Sequence, residues 1–133
     1  MTVAQGPWLV GDVRGGYTAP TPAADGERVY VVFGSSVIAA LDHGGKQLWR
    51  KEIRPYKFDV ALAASPVLFG DTVILQCDQV DKQSRVLAFD KKTGDVKWEA
   101  LRPSHGFAHS TPVVAEVGGK KQLLVAASNA VQG

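Results

Sequence analysis

The residues of this chain whose types and spacing could do chemistry are a histidine pair, one cysteine, a scatter of aspartates and the glycine pairs Gly15-Gly16 and Gly44-Gly45. His105 and His109 stand four apart, a spacing that on a helix would offer both imidazoles to one zinc ion. Gly106 lies between them and Thr111-Pro112 follows, which argues for a loop running into a strand. His43 lies in a distant turn and no third ligand stands nearby, so no metal is expected there. Ser110 lacks the Gly-x-Ser-x-Gly setting of an exposed nucleophile. Gly15-Gly16 and Gly44-Gly45 open no helix and precede no Lys-Ser/Thr pair, so they read as turns and not as phosphate cradles. Cys77, the single cysteine, sits in an apolar run. One cysteine permits neither an internal disulfide nor a cysteine zinc cluster, and a small buried hydrophobe is expected. Asp25, Asp42, Asp71, Asp90 and Asp95 form no calcium loop of alternating acidic ligands. Each adjoins a turn signal, and an aspartate in a turn accepts from its own backbone.

Those turns belong to a repeated element. Ala88-Phe89-Asp90-Lys91-Lys92-Thr93-Gly94-Asp95-Val96-Lys97-Trp98 is echoed by Ala40-Leu41-Asp42-His43-Gly44-Gly45-Lys46-Gln47-Leu48-Trp49. Both read as an apolar strand, an Asp, a glycine turn and a second strand closing on Trp. Glycine supplies the positive φ of a tight turn. The indole is the largest apolar body in the unit and suits a wedge against a neighbouring unit better than a ligand stack.

Upstream, Thr21-Pro22, Ser65-Pro66 and Thr111-Pro112 precede apolar strands at a period of 44 to 46 residues. About four short strands at that period indicate propeller blades. Trp98 precedes Pro112 by 14 residues, and Trp8 precedes Pro22 by the same 14, so Trp8 is read as the closing Trp of a preceding unit. The expected division is 1–17 for that closing strand and a loop, 18–60 and 61–108 for two blades, and 109–133 for the start of another. In the second blade the strands are expected near 63–69, 72–78, 84–90 and 95–101, with Asp78–Gln83 projecting into solvent. In the third they are expected near 110–117 and 121–128. No apolar period of 3.6 is sustained, so essentially no helix is expected.

Composition narrows the function classes. The chain has 133 residues, 45% hydrophobic and 21% charged, ordinary for one globular domain. A net charge of +2 from 15 basic and 13 acidic residues, interspersed, is no nucleic-acid footprint. Lys91-Lys92 and Lys120-Lys121 read as solvated turn tips. No run of 18 apolar residues exists, so no spanning helix is expected, and residues 1–7 lack the pattern of a secretory signal.

Ala88-x-Asp90-x-x-Thr93-Gly94-x-x-x-Trp98, with Ser65-Pro66-Val67 and Gly70-Asp71 before it, resembles the tryptophan-docking repeat of PQQ-like β-propellers. The first copy departs from it: Asp42 to Trp49 is one residue shorter, with Gly44-Gly45 in the turn. The resemblance implies an all-β propeller of four-stranded antiparallel blades, incomplete here. It also implies one of two roles. One is a non-catalytic scaffold or protein-binding module of the bacterial periplasm or envelope, binding no cofactor. The other is a fragment of a quinoprotein alcohol or sugar dehydrogenase, using PQQ with calcium. Adjacent cysteines, frequent in the alcohol-oxidising branch, are absent here. A carbohydrate-binding propeller is a third class, resting on aromatics such as Tyr17, Tyr56 and Phe58. The residues expected to matter are the repeat motif itself: Asp42, Gly45 and Trp49, then Asp90, Thr93, Gly94 and Trp98. Trp98→Ala is expected to cost roughly 3–5 kcal/mol, as for a large core truncation. Fewer than three blades do not close a ring. The expected partners are therefore the remaining blades of a longer propeller or further copies of the chain.

Overall fold

A computed structural model describes residues 19–53, 62–80, 82–106, 108–127 and 130–133. They form three antiparallel meanders and contain no helix. The first blade is β1 (Ala23–Ala24), β2 (Val29–Phe33), β3 (Val37–Leu41) and β4 (Gln47–Glu52), paired in that order. The second is β5 (Val67–Phe69), β6 (Thr72–Cys77), β7 (Arg85–Asp90) and β8 (Val96–Leu101), again in order. The third contributes β9 (Val113–Val117), β10 (Lys120–Ala127) and β11 (Ala130–Gln132), with β10 in the middle. The described residues thus form part of a β-propeller, two four-stranded blades and a three-stranded sheet.

The innermost strands are shorter than the sequence suggests. Ladder pairing begins at Val67 and Val113, immediately after Pro66 and Pro112, because a proline has no N–H to give a ladder. The Asp78–Gln83 stretch also departs from expectation, in part. Asp78 and Gln79 are buried, as is Ser84 after them, while Val80, Lys82 and Gln83 are exposed, so the tip of this connection projects and its base is buried.

The outer hairpins of the first two blades share a register. Ala40 faces Trp49 and Ala88 faces Trp98, and a β-bulge follows in each hairpin, between Ala40 and Leu41 and between Ala88 and Phe89. An extra residue in one strand re-aims the side chains beyond it. Both hairpins thereby set their tryptophans at the same place.

The main core lies between the first two blades. Tyr30, Val32, Ile38, Ala40, Trp49 and Ile53 pack there against Val73, Leu75, Cys77, Leu87 and Phe89. Alternation along β2 sends Tyr30 and Val32 into this core, as the two-residue strand period requires. Central strands β6 and β7 are covered on both faces, which explains their unbroken apolar runs. The core between blades two and three is smaller: Ile74, Val86 and Ala88 meet Val125, with Phe69 and Leu123 partly buried beside them.

Candidate functional site

The chemistry of this chain is concentrated at its two blade junctions. At the first, the Asp90 turn of blade two is the seat. Asp90 Oδ1 accepts from the Lys92 and Thr93 N–H groups at 2.7 and 3.0 Å, and Thr93 Oγ1 accepts from the Asp95 N–H at 3.2 Å. Those main-chain bonds hold the Asp90 carboxyl below its ordinary range. Gly94 closes the turn at φ +74°, and a Cβ there would stand 2.6 Å from the Trp49 ring. The glycine is thus required twice, for its backbone and for the close approach of the indole. Trp49 Nε1 donates to the Lys91 carbonyl at 2.9 Å, the Tyr30 ring lies 6.2 Å away, and only 7% of Trp49 is exposed.

A polar rim surrounds this wedge. Asp25 Oδ1 accepts from the Glu27 and Arg28 N–H groups at 3.0 and 2.9 Å, and Asp25 Oδ2 accepts from the Tyr30 hydroxyl at 3.1 Å. Lys91 Nζ lies 3.4 Å from that same oxygen, and Lys51 bonds Asp95 at 2.7 Å, each pair crossing the junction. The Glu27 N–H bond leads in lowering the Asp25 carboxyl to about 2, opposed by its partial burial. Burial leads in raising the Tyr30 phenol to about 12, helped by Asp25. A cleft of about 510 Å³ opens beside them, lined by Asp25, Arg28, Asp71, Asp90 and Lys91 among others. Its aspartates are occupied by turns and ion pairs, Asp71 by Lys97 at 2.5 Å.

Trp98 stands differently. It occupies the place of Trp49 in the second hairpin, yet 40% of it is exposed and every residue of β8 is exposed. The expected cost of 3–5 kcal/mol for Trp98→Ala does not suit this setting, since no glycine turn covers the indole among the described residues. The Asp42 turn is built like its counterpart. Asp42 Oδ1 accepts from the Gly44 and Lys46 N–H groups, each at 2.9 Å, and Gly45 has φ +85°. No described side chain reaches Gly45. Trp8, read from the sequence as the closing Trp of a preceding unit, lies outside the described residues, as do Tyr17, Tyr56 and Phe58.

The second junction holds a buried polar cluster that the sequence reading missed. Arg102 Nη1 bonds both Asp78 oxygens at 2.8 and 2.6 Å, with the two residues 5% and 3% exposed. Gln76 Nε2 donates to Asp78 at 2.7 Å and to the Ala126 carbonyl of β10 at 2.6 Å. Arg102 Nε donates to Gln132 Oε1 of β11 at 2.8 Å. Burial pushes the Asp78 carboxyl up, against the opposing pull of Gln76, Arg102 and His105. Gln76 Oε1, Gln79 Oε1, Arg102 Nη2 and His105 Nδ1 are buried without a partner. The only signal available from sequence was three polar residues in repeat positions that are apolar one repeat earlier.

Ser and Thr before the prolines also do work that went unread. The Thr21 N–H donates to Ser65 Oγ at 2.9 Å, and the Ser65 N–H donates to Thr111 Oγ1 at 3.1 Å. One residue type at each repeat thus links successive inner strands.

Histidines 105 and 109 sit in the loop between β8 and β9. The His105 carbonyl accepts from Ser84 Oγ at 2.8 Å, and His43 Nε2 meets the Asp25 carbonyl at 3.0 Å. Among the described residues no three His, Cys, Asp or Glu side chains come together. The turn acids are engaged by main-chain N–H groups and lysines.

A family model described as outer membrane protein assembly factor BamB matches residues 5–133. The chain belongs to that PQQ-like propeller family. Its fold is similar to BamB from Moraxella catarrhalis, at a TM-score of 0.60 and 16% identity over 84% of this chain and 31% of that one. It is also similar to a europium-containing methanol dehydrogenase, at TM-score 0.54 and 24% identity over 60% of this chain and 14% of that one. A quinohemoprotein alcohol dehydrogenase from Comamonas testosteroni gives TM-score 0.51 and 26% identity, over 59% of this chain and 12% of the other. The chain therefore spans under a third of the length of each. No curated protein matches it in sequence. No described helix is long and apolar enough to cross a membrane.

Proposed function

We propose that these blades are a non-catalytic part of a PQQ-like propeller, serving as a scaffold or protein-binding module in the periplasm or cell envelope. The observation that carries this is the contrast between Trp49, seated on the next blade's turn, and Trp98, presenting its indole from an exposed strand. An apolar face of that kind marks an interface. Further blades of a longer propeller, or further copies of the chain, complete the array. The BamB-like family and the engagement of the turn aspartates support a structural role over a catalytic one. Solution mass tests the assembly: 14.2 kDa means an open arc, and a stable multiple means an array built from copies.

The likeness to two alcohol dehydrogenases favours a second reading, a piece of a quinoprotein oxidoreductase. Thermal melting with and without PQQ and calcium separates the two. The scaffold reading predicts no shift, and a saturable rise in melting temperature favours the dehydrogenase.

A further inference from the structure

The hydrogen-bond register shows which positions of the two complete blades correspond. Tyr30 faces Ala40 and Ile74 faces Ala88, with a tryptophan beyond each alanine. Two residues further along, Val32 corresponds to Gln76, and four further, Gly34 corresponds to Asp78. The Ile53 N–H bonds the Ser36 carbonyl at 2.8 Å, and the Arg102 N–H bonds the Ser84 carbonyl at 2.7 Å, so Ile53 corresponds to Arg102. Val, Gly and Ile at one junction are replaced together by Gln, Asp and Arg at the next.

We infer that this trio makes the loop end of blade two a polar interaction surface that selects its neighbour. The neighbour it fits is a blade offering a carbonyl at the end of its second strand and a side-chain amide on its third. Blade three supplies these as the Ala126 carbonyl and Gln132. Ser110 Oγ lies 3.1 Å from Gln76 Nε2 and donates to the same Ala126 carbonyl at 2.7 Å. Against a blade with an apolar rim, such as blade one, Asp78 would still hold Arg102 Nη1 and Gln76 Nε2, but Arg102 Nε would be left buried without the acceptor that Gln132 provides, which folded proteins avoid. Buried ion pairs add little net stability, and in some folds a buried polar group fixes the register of a pairing. Repeats that share one docking device, the tryptophan on its turn, need a second feature to tell neighbours apart.

Amide hydrogen exchange on the whole chain tests this. The variant carrying Gln76→Val, Asp78→Gly and Arg102→Ile installs the blade-one residues. Exchange at Val125 and Ala126 in β10 is expected to quicken at least about 10-fold, with β2 and β3 unchanged. Equal or slower exchange at β10 would overturn the inference, because the trio would then be replaceable packing. Gln132→Leu decides the matter if the triple variant does not fold, since Gln132 is exposed. It removes only the Arg102 contact and should quicken β10 exchange by about 10-fold; no change there also overturns the inference.

Discussion

Between blades one and two an indole is seated on a glycine turn over a broad apolar core, and charged pairs guard the rim. Between blades two and three the apolar core is small, the equivalent indole is exposed, and a buried ion pair within blade two reaches across the gap through Arg102 to Gln132 and through Gln76 to the Ala126 carbonyl. Among the described residues the two junctions are therefore held by different contacts. The first junction draws on area and on one close approach that only glycine allows. The second draws on directional bonds, which specify a partner more sharply than they stabilise it.

Removing the wedges should separate the junctions most strongly. Trp49→Ala is expected to lower unfolding free energy by about 3–5 kcal/mol in denaturant titration. Trp98→Ala should lower it by under about 1 kcal/mol. Equal losses would erase the distinction. Asp78→Ala comes next: stripping Arg102 of its buried partner should cost about 3 kcal/mol, visible as early loss of β9–β11 amide protection. A third contrast uses the two turn glycines. Gly94→Ala meets both a positive φ and the Trp49 ring and should cost about 3 kcal/mol, whereas Gly45→Ala meets only its positive φ of +85° and should cost about 1 kcal/mol.

The smallest effect is a pH limb at the first junction. Tyr30 ionises near 12 when folded against an ordinary value of 10.0. The raised pKa means the neutral phenol is favoured in the folded state, so its contribution is full below pH 10.0 and is lost as pH rises toward 12. Asp25 runs the other way: lowered to about 2 from 3.8, it contributes above 3.8 and is lost as pH falls toward 2. Tyr30→Phe should flatten the alkaline limb of the melting curve at a cost of about 1 kcal/mol near neutrality. An alkaline limb unchanged in that variant would place the titration elsewhere.

The hairpins were legible because their signals are local. Asp, glycine and Trp fall within a few residues of each other, and turn geometry requires the first two almost regardless of context. The proline marks gave the period, though the Ser and Thr beside them, not the prolines, make the bonds between blades. The cluster at the second junction was illegible for the opposite reason. Asp78 and Arg102 are far apart in sequence, and a charged stretch reads as solvated until a partner from another strand is known. The exposure of Trp98 was not legible because a repeat predicts the same environment for each copy, and burial depends on what the next repeat presents.

The central claim is that Trp49 is locked onto the Asp90–Gly94 turn while Trp98 is not locked onto anything equivalent among the described residues. Hydrogen exchange of the indole Nε1–H groups in the unmodified chain measures this directly by nuclear magnetic resonance. The Trp49 signal should persist in heavy water at least about 100-fold longer than that of Trp98. A Trp49 indole that exchanges as fast as Trp98 would contradict the account.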